Sequence, residues 1–193
     1  MAGIIKETVQ GIHVVAADDE LLGRRKIFLT EPISAETSDE LIKKLMYLDE
    51  ADSTAPVTLY INSPGGEVYS GLAVYDFIGL MKAPLKTVCI GCAASMGAIL
   101  FLAGSKREML PHTRIMLHDP SYGHLDVSGK KPHEIQHEVD SLNKTRESLA
   151  AIIAEKTGKK LNEIYKITAN DTYFDVKEAM DFGLATGVYT NDG

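Results

Sequence analysis

Residues 87–105 carry no charged side chain. A run of that length either spans a bilayer or sits at the centre of a folded domain, and that choice fixes the class of the whole protein. The run contains three glycines, and three alanines before Ile99, and its first half is strand-like, so a buried strand-turn-helix is the better reading. Residues 85–90, Leu-Lys-Thr-Val-Cys-Ile, have the β-branched and apolar character of an interior strand. Residues 98–103 are helix formers, and Gly104 is placed to cap their C-terminus. Only small residues lie between, so the chain can turn sharply and leave the Ser95 hydroxyl at the bend. Ala-Ala-Ser-Met-Gly is half of the G-x-S-x-G pattern of a nucleophile elbow. A helix N-cap is the commoner use of such a serine, and this stretch alone favours the cap.

At 193 residues, 45% hydrophobic and 24% charged, the chain reads as one ordered domain over 1–193. A net charge of -7 argues against nucleic acid, and the short basic runs at 24–26, 130–131 and 159–160 read as solvated surface. Cys89 and Cys92 have C-x-x-C spacing, but Cys89 falls late in a strand rather than at a helix N-terminus. Both are expected to be small buried hydrophobes rather than a redox pair. Lys6 and Glu7 fall where a signal peptide needs an apolar core, so a cytoplasmic protein without a membrane segment is expected.

In chain order, 12–16 is a weak strand candidate and 26–30 a clearer one. Ser34 or Ser38 can cap a helix carrying Leu41, Leu45 and Leu48 at helical spacing. A strand over 57–61 runs into Asn62-Ser63-Pro64-Gly65-Gly66, and a helix follows over 67–81. After the Ser95 unit come short strands at 108–110 and 114–117. A long helix is expected over 132–156, with Ile135, Val139, Leu142, Leu149 and Ile153 along one stripe, and a shorter one over 160–168. Asp175 and Glu178 form a capping box for a last helix closed by Gly183, before a strand at 188–190. Alternating strands and helices call for a mostly parallel α/β sheet with right-handed crossovers. Sites in such sheets form at the carboxyl ends of strands. Three of those ends here carry Gly65-Gly66, Ser95 and His118-Asp119-Pro120.

His133-Glu134-Ile135-Gln136-His137 matches the H-E-x-x-H pattern of zinc peptidases. The two imidazoles share a helix face, but it lies opposite the apolar stripe and faces solvent. No G-x-x-H continuation offers the third protein ligand that catalytic zinc needs, so no metal site is expected.

A hydrolytic serine needs a base, a carboxylate to orient that base, and oxyanion donors. Of six histidines, only His118 closes a strand expected to neighbour the one leading to Ser95. Asp119 is adjacent, but successive strand side chains point to opposite faces. Asp171, in a loop between helices, can reach across. The amides of Gly66 and Met96 are the natural oxyanion pair, one at a glycine and one at a helix N-terminus.

Three blocks, Tyr60-Ile61-Asn62-Ser63-Pro64-Gly65-Gly66, Ala93-Ala94-Ser95-Met96-Gly97-Ala98 and Arg114-Ile115-Met116-Leu117-His118-Asp119-Pro120, resemble those of the Clp protease proteolytic subunits (ClpP). The likeness spans about residues 26–189. It implies the ClpP/crotonase fold, with repeated strand-helix units and a protruding handle helix, within a handle region 132–168 and after an axial segment 1–25. It implies a serine endopeptidase with catalytic Ser95, His118 and Asp171, oxyanion donors Gly66 and Met96, and substrate contacts at Gly65, Val68 and Pro120. Val68 is expected on a strand that pairs with bound peptide. Two stacked heptameric rings, fed unfolded polypeptide by an AAA+ unfoldase, would enclose the sites. The unfoldase, not this chain, would spend ATP, and no cofactor is implied.

Several positions depart from the family pattern. Asp119 replaces the usual glutamine and adds a negative charge beside His118. Residues 126–132 lack the usual Gly-Gln-Ala character, Asn170 stands where an arginine is frequent, and the first two dozen residues match poorly. These motivate an alternative, a weakly active paralogue serving as a structural subunit of a mixed ring. An acyl-CoA enzyme on the same fold is disfavoured by the Ser95, His118 and Asp171 set.

Overall fold

The computed structural model describes residues 3–8, 11–123 and 125–190. Strands β1 (Gly3–Thr8) and β2 (Gly11–Ala16) form an antiparallel hairpin, a two-stranded sheet of its own. Helix α1 (Ala17–Gly23) follows, with Asp18, Asp19 and Glu20 in its first turn, where the helix dipole favours negative charge. The main sheet takes β3 (Lys26–Leu29), β4 (Val57–Ser63), β5 (Leu85–Ala94), β6 (Lys106–Met109) and β9 (Gly187–Val188) in that order, all parallel. Helices α2 (Ala35–Ala51), α3 (Val68–Leu80) and α4 (Met96–Leu102) connect the first of these strands. Strand β7 (Arg114–Leu117) pairs parallel with β5 and antiparallel with β8 (Thr172–Phe174). Helices α5 (Pro132–Thr157) and α6 (Leu161–Thr168) lie between β7 and β8, and α7 (Val176–Phe182) precedes β9. This mainly parallel sheet with covering helices is the architecture of the ClpP/crotonase fold.

The ten-residue β5 organises the sheet by serving two neighbours in succession. Its first half, Lys86–Cys89, pairs with β6, and Cys92–Ala94 pairs with β7. The handover coincides with a register shift against β4 between Ile61 and Ser63. There Asn62 Oδ1 accepts the Cys92 N–H at 3.0 Å. A Cβ on Gly91 would come within 2.2 Å of that oxygen, so only glycine admits the bond. The uncharged run is the core: every residue of α4 is buried, and Leu100, Phe101 and Leu102 have no exposed surface. Full burial of side chains of this size contributes about 2 kcal/mol each. Among the described residues no helix is long and apolar enough to cross a membrane.

Charged groups inside this frame are partnered. Glu108 is 4% exposed, with Lys86 Nζ 2.6 Å and Lys106 Nζ 2.7 Å from its oxygens. Arg25, in the left-handed region at φ 59°, donates to the carbonyls of Leu48, Asp52, Ala55 and Pro56, which ties the end of α2 to the start of β4.

Several expectations need correction. Ser34, not Ser38, caps α2, its Oγ accepting the Thr37 N–H at 3.3 Å. Gly104 is not a left-handed cap, because α4 ends at Ala103 in right-handed geometry. Its real constraint is Thr87, whose Oγ1 would sit 2.4 Å from a Cβ there while it donates to Phe101 O. Val68 is the first residue of α3 rather than part of a strand, since Glu67 in extended geometry already starts the helix. On α5 only Leu149, Ala150 and Ile153 are buried. The N-terminal part of the predicted stripe is only half-buried at Ile135 and Leu142 and exposed at Val139. The three-residue β8 and helix α1 carry too little periodicity to be read from sequence.

Candidate active site

The bend after β5 is built by the backbone. The Ser95 N–H donates to Met116 O of β7 at 2.9 Å, and its carbonyl accepts from Ala98 and Ile99 at 3.0 and 3.3 Å, opening α4. Between these anchors Ser95 is forced to φ 53°, ψ -121°. A non-glycine residue rarely holds such a conformation unless the surroundings impose it, and sharp strand-to-helix turns of this kind present a hydroxyl. Ser95 occupies the N-cap position, yet its side chain makes no cap hydrogen bond. Its Oγ lies 2.8 Å from Nε2 of His118. The competing cap reading is thereby corrected.

His118 reaches that position because β7 runs beside the end of β5 and stops at Leu117. On its far side β8 pairs Leu117 with Thr172, which brings the α6–β8 turn and Asp171 to the imidazole. Asp171 Oδ1 stands 3.8 Å from His118 Nδ1, with its side chain 63% exposed. That is an electrostatic contact, longer than a hydrogen bond. Asp119 points elsewhere, its carboxylate meeting Arg146 Nε of α5 at 2.7 Å. Arg146 had no signal in the sequence, because it acts through a contact between distant elements.

Gly65 and Gly66, at φ 91° and 152°, line the other wall. Gly66 forms a parallel bridge with Ile33 through Ile33 N–H to Gly65 O and Glu67 N–H to Ile33 O, both 2.8 Å. This pattern leaves the Gly66 N–H on the side away from Ile33. A Cβ on Gly65 would meet Ala94 O, Ser95 Cβ and Met96 N at 2.7, 2.8 and 2.9 Å, so the loop rests directly on the bend. The Met96 N–H opens α4 and has no partner within the helix. Gly71 of α3 lets Met96 approach, its Cβ position lying 2.4 Å from Met96 Cγ. A small pocket beside Ser95 and His118 is walled by Val68, Met96, Ile99, Leu117, Pro120, Leu149 and Ile153. The last two were legible only as helix stripe. The structure brings Val68, Ser95, Met96, His118 and Pro120 around one pocket, with Gly65 resting on the bend and Asp171 3.8 Å from the imidazole.

Other candidates do not converge. His133 and His137 are exposed, and no cluster of three metal-ligating side chains occurs among the described residues. His124 lies outside the described residues. Burial pushes both cysteine thiols above their ordinary range, which keeps them protonated and poorly nucleophilic.

The Clp protease family model matches residues 9–192. The chain belongs to the Clp protease family. It is 41% identical over 162 residues to the ATP-dependent Clp protease proteolytic subunit 2 of Prochlorococcus marinus strain MIT 9313, covering 83% of this chain and 80% of that protein. The protein of the same description from strain NATL2A is 40% identical over 169 residues, 86% and 83% of the two chains. Membership places the Ser95–His118 pair in a family of peptidases, on the fold that carries them.

Proposed function

We propose that the chain is a serine endopeptidase subunit that cleaves unfolded polypeptide. The observation carrying this reading is the 2.8 Å contact of His118 Nε2 with a hydroxyl held in strained backbone geometry. In the reaction Ser95 Oγ attacks the peptide carbonyl as Nε2 takes its proton. The N–H groups of Gly66 and Met96 bind the developing oxyanion. His118 then gives the proton to the departing amine, and a water deprotonated by the same nitrogen hydrolyses the acyl-enzyme. Asp171 fixes the imidazole through Nδ1–H, drawing in by about 1 Å from its present 3.8 Å to do so. Gly65, Val68 and Pro120 shape the substrate side, Val68 as a pocket wall in the first turn of α3.

The proposed working assembly has two stacked heptameric rings in the cytoplasm. An AAA+ unfoldase supplies the substrate and spends the ATP, so the chain itself uses no cofactor. A fluorophosphonate tests the chemistry: it is expected to label the assembled wild type and leave Ser95→Ala unlabelled. An assembled wild type that resists the reagent refutes the proposal.

A second reading is a weakly active subunit of a mixed ring, favoured by the exposed and loosely held Asp171. It predicts peptide hydrolysis only when a second subunit type is added.

A further inference from the structure

His118 is followed at once by an acidic residue, and the surroundings of that residue form a built unit. The Asp119 N–H donates to the carbonyl of Thr168, the last residue of α6, at 2.6 Å. One carboxylate oxygen of Asp119 meets Arg146 Nε at 2.7 Å. The Nε–H does not point along that line, which makes the contact an ion pair rather than a hydrogen bond. The other oxygen, Oδ1, is covered and accepts no hydrogen bond among the described residues. Arg146 in turn lays its guanidinium 4.5 Å over the Tyr165 ring of α6. The two side chains are 30% and 34% exposed, so most of this charge pair is out of water. A carboxylate in such a place depends on its partner, because the desolvation it suffers is otherwise uncompensated.

The same contacts define where Asp171 sits. Thr168 and Tyr165 end the helix whose following turn carries Asp171, and Thr172 Oγ1 closes that turn on Ile167 O at 2.6 Å. Facing His118 are the Ser95 hydroxyl from the β5–α4 bend and Asp171 from the α6–β8 turn, while the Asp119 carboxylate, one residue along the chain, is turned to Arg146 of α5.

We infer that Asp119 and Arg146 are positioning residues, which hold the strand end bearing His118 and the turn bearing Asp171 in one frame while Arg146 cancels the Asp119 charge beside the imidazole. This rests on the serine peptidase reading. Arg146 bears on catalysis in two ways. It fixes α6 through Tyr165, and it keeps a bare carboxylate from favouring the imidazolium, the form of His118 that cannot accept the Ser95 proton.

The test uses the assembled full chain with Arg146→Met, which retains an apolar stem over Tyr165, and Arg146→Gln as a second neutral variant. Asp119→Asn and Asp119→Asn/Arg146→Met complete the cycle. Hydrolysis of a fluorogenic peptide is followed from pH 5.5 to 9, with melting temperatures alongside. In Arg146→Met the acidic limb of kcat/KM is expected to rise by about one pH unit, and kcat at neutral pH to fall roughly tenfold at nearly constant KM. In the double variant the limb returns to its wild-type position, although kcat stays low. A folded Arg146→Met or Arg146→Gln with an unmoved limb overturns the inference. So does a limb that stays displaced in the double variant. A wild type that neither hydrolyses peptide nor reacts with a fluorophosphonate sinks the peptidase reading instead. The His118 ring is then titrated by NMR in the same variants. Upward movement that the second substitution reverses supports the inference, and no movement refutes it.

Discussion

Gly65→Ala probes the contact between the glycine loop and the Ser95 bend. The new Cβ would lie 2.7 Å from Ala94 O, 2.8 Å from Ser95 Cβ and 2.9 Å from Met96 N. None of these is the far end of a flexible side chain, so the loop itself must retreat. Restoring ordinary contact requires a shift of roughly 0.5–1 Å. The φ of 91° adds strain of about 1–2 kcal/mol for a residue with a Cβ. Gly66 is the next residue, so its N–H moves by a similar amount. Oxyanion donors act over a window of about 2.7–3.1 Å, and loss of one lowers kcat by roughly 10²–10³. The expected result is a fall in kcat of about 10² with a loss of about 2 kcal/mol in stability, about 4–8 °C in melting temperature for a chain of this size. Steady-state hydrolysis of a fluorogenic peptide and a thermal melt read both quantities. Gly79→Ala, on the exposed side of α3 with nothing within 4 Å, is the control. It should leave activity unchanged and stabilise by about 0.5–1 kcal/mol. A folded Gly65→Ala enzyme with activity within about threefold of wild type would refute the placement of Gly66 in the site.

Glu108 gives a pH signature. Burial pushes its carboxyl up, but Lys106 and Lys86 outweigh that and hold it below its ordinary value of 4.5. A depressed native value means stability that is present above about pH 4.5 and is lost as pH falls through the native value. Glu108→Gln should therefore cost about 2 kcal/mol near neutrality, with the gap to wild type closing in acid; a gap constant from pH 7 to pH 3 contradicts this. Arg25→Ala should lose about 2–3 kcal/mol by freeing four carbonyl acceptors. Arg25→Gly should lose about 1 kcal/mol less, because it relieves the φ of 59°. Denaturant melts of the two variants decide it, and an alanine variant no less stable than the glycine one is the contrary result.

How far the sequence could be read follows from where each signal lies. The β5–α4 unit was legible because an uncharged run with small residues in the middle has few soluble solutions. Asp175, Glu178 and Gly183 marked α7 for a similarly local reason: capping chemistry sits within one turn, and both capping bonds form at 2.8–2.9 Å. Long-range contacts were not legible. Nothing local distinguishes Arg146 from other helix-surface arginines, and the pairing of Asp119 with it depends on how α5 lies against α6. The helical pattern over 67–81 places Val68 correctly in α3, whereas the strand that the family resemblance implies for it ends one residue earlier, at Glu67. The stripe on α5 promised burial along its length. The core reaches only its C-terminal half, so the same pattern is buried at Ile153 and exposed at Val139.

The convergence of Ser95 and His118 is the centre of the account. It is tested most directly by kcat/KM for a short fluorogenic peptide, measured on wild type, Ser95→Ala and His118→Ala at equal states of assembly. Each substitution should lower the value by about 10⁴ or more, without additivity in the double variant, since the two groups act as one unit. A Ser95→Ala protein that keeps its assembly and retains activity within tenfold of wild type would contradict the account.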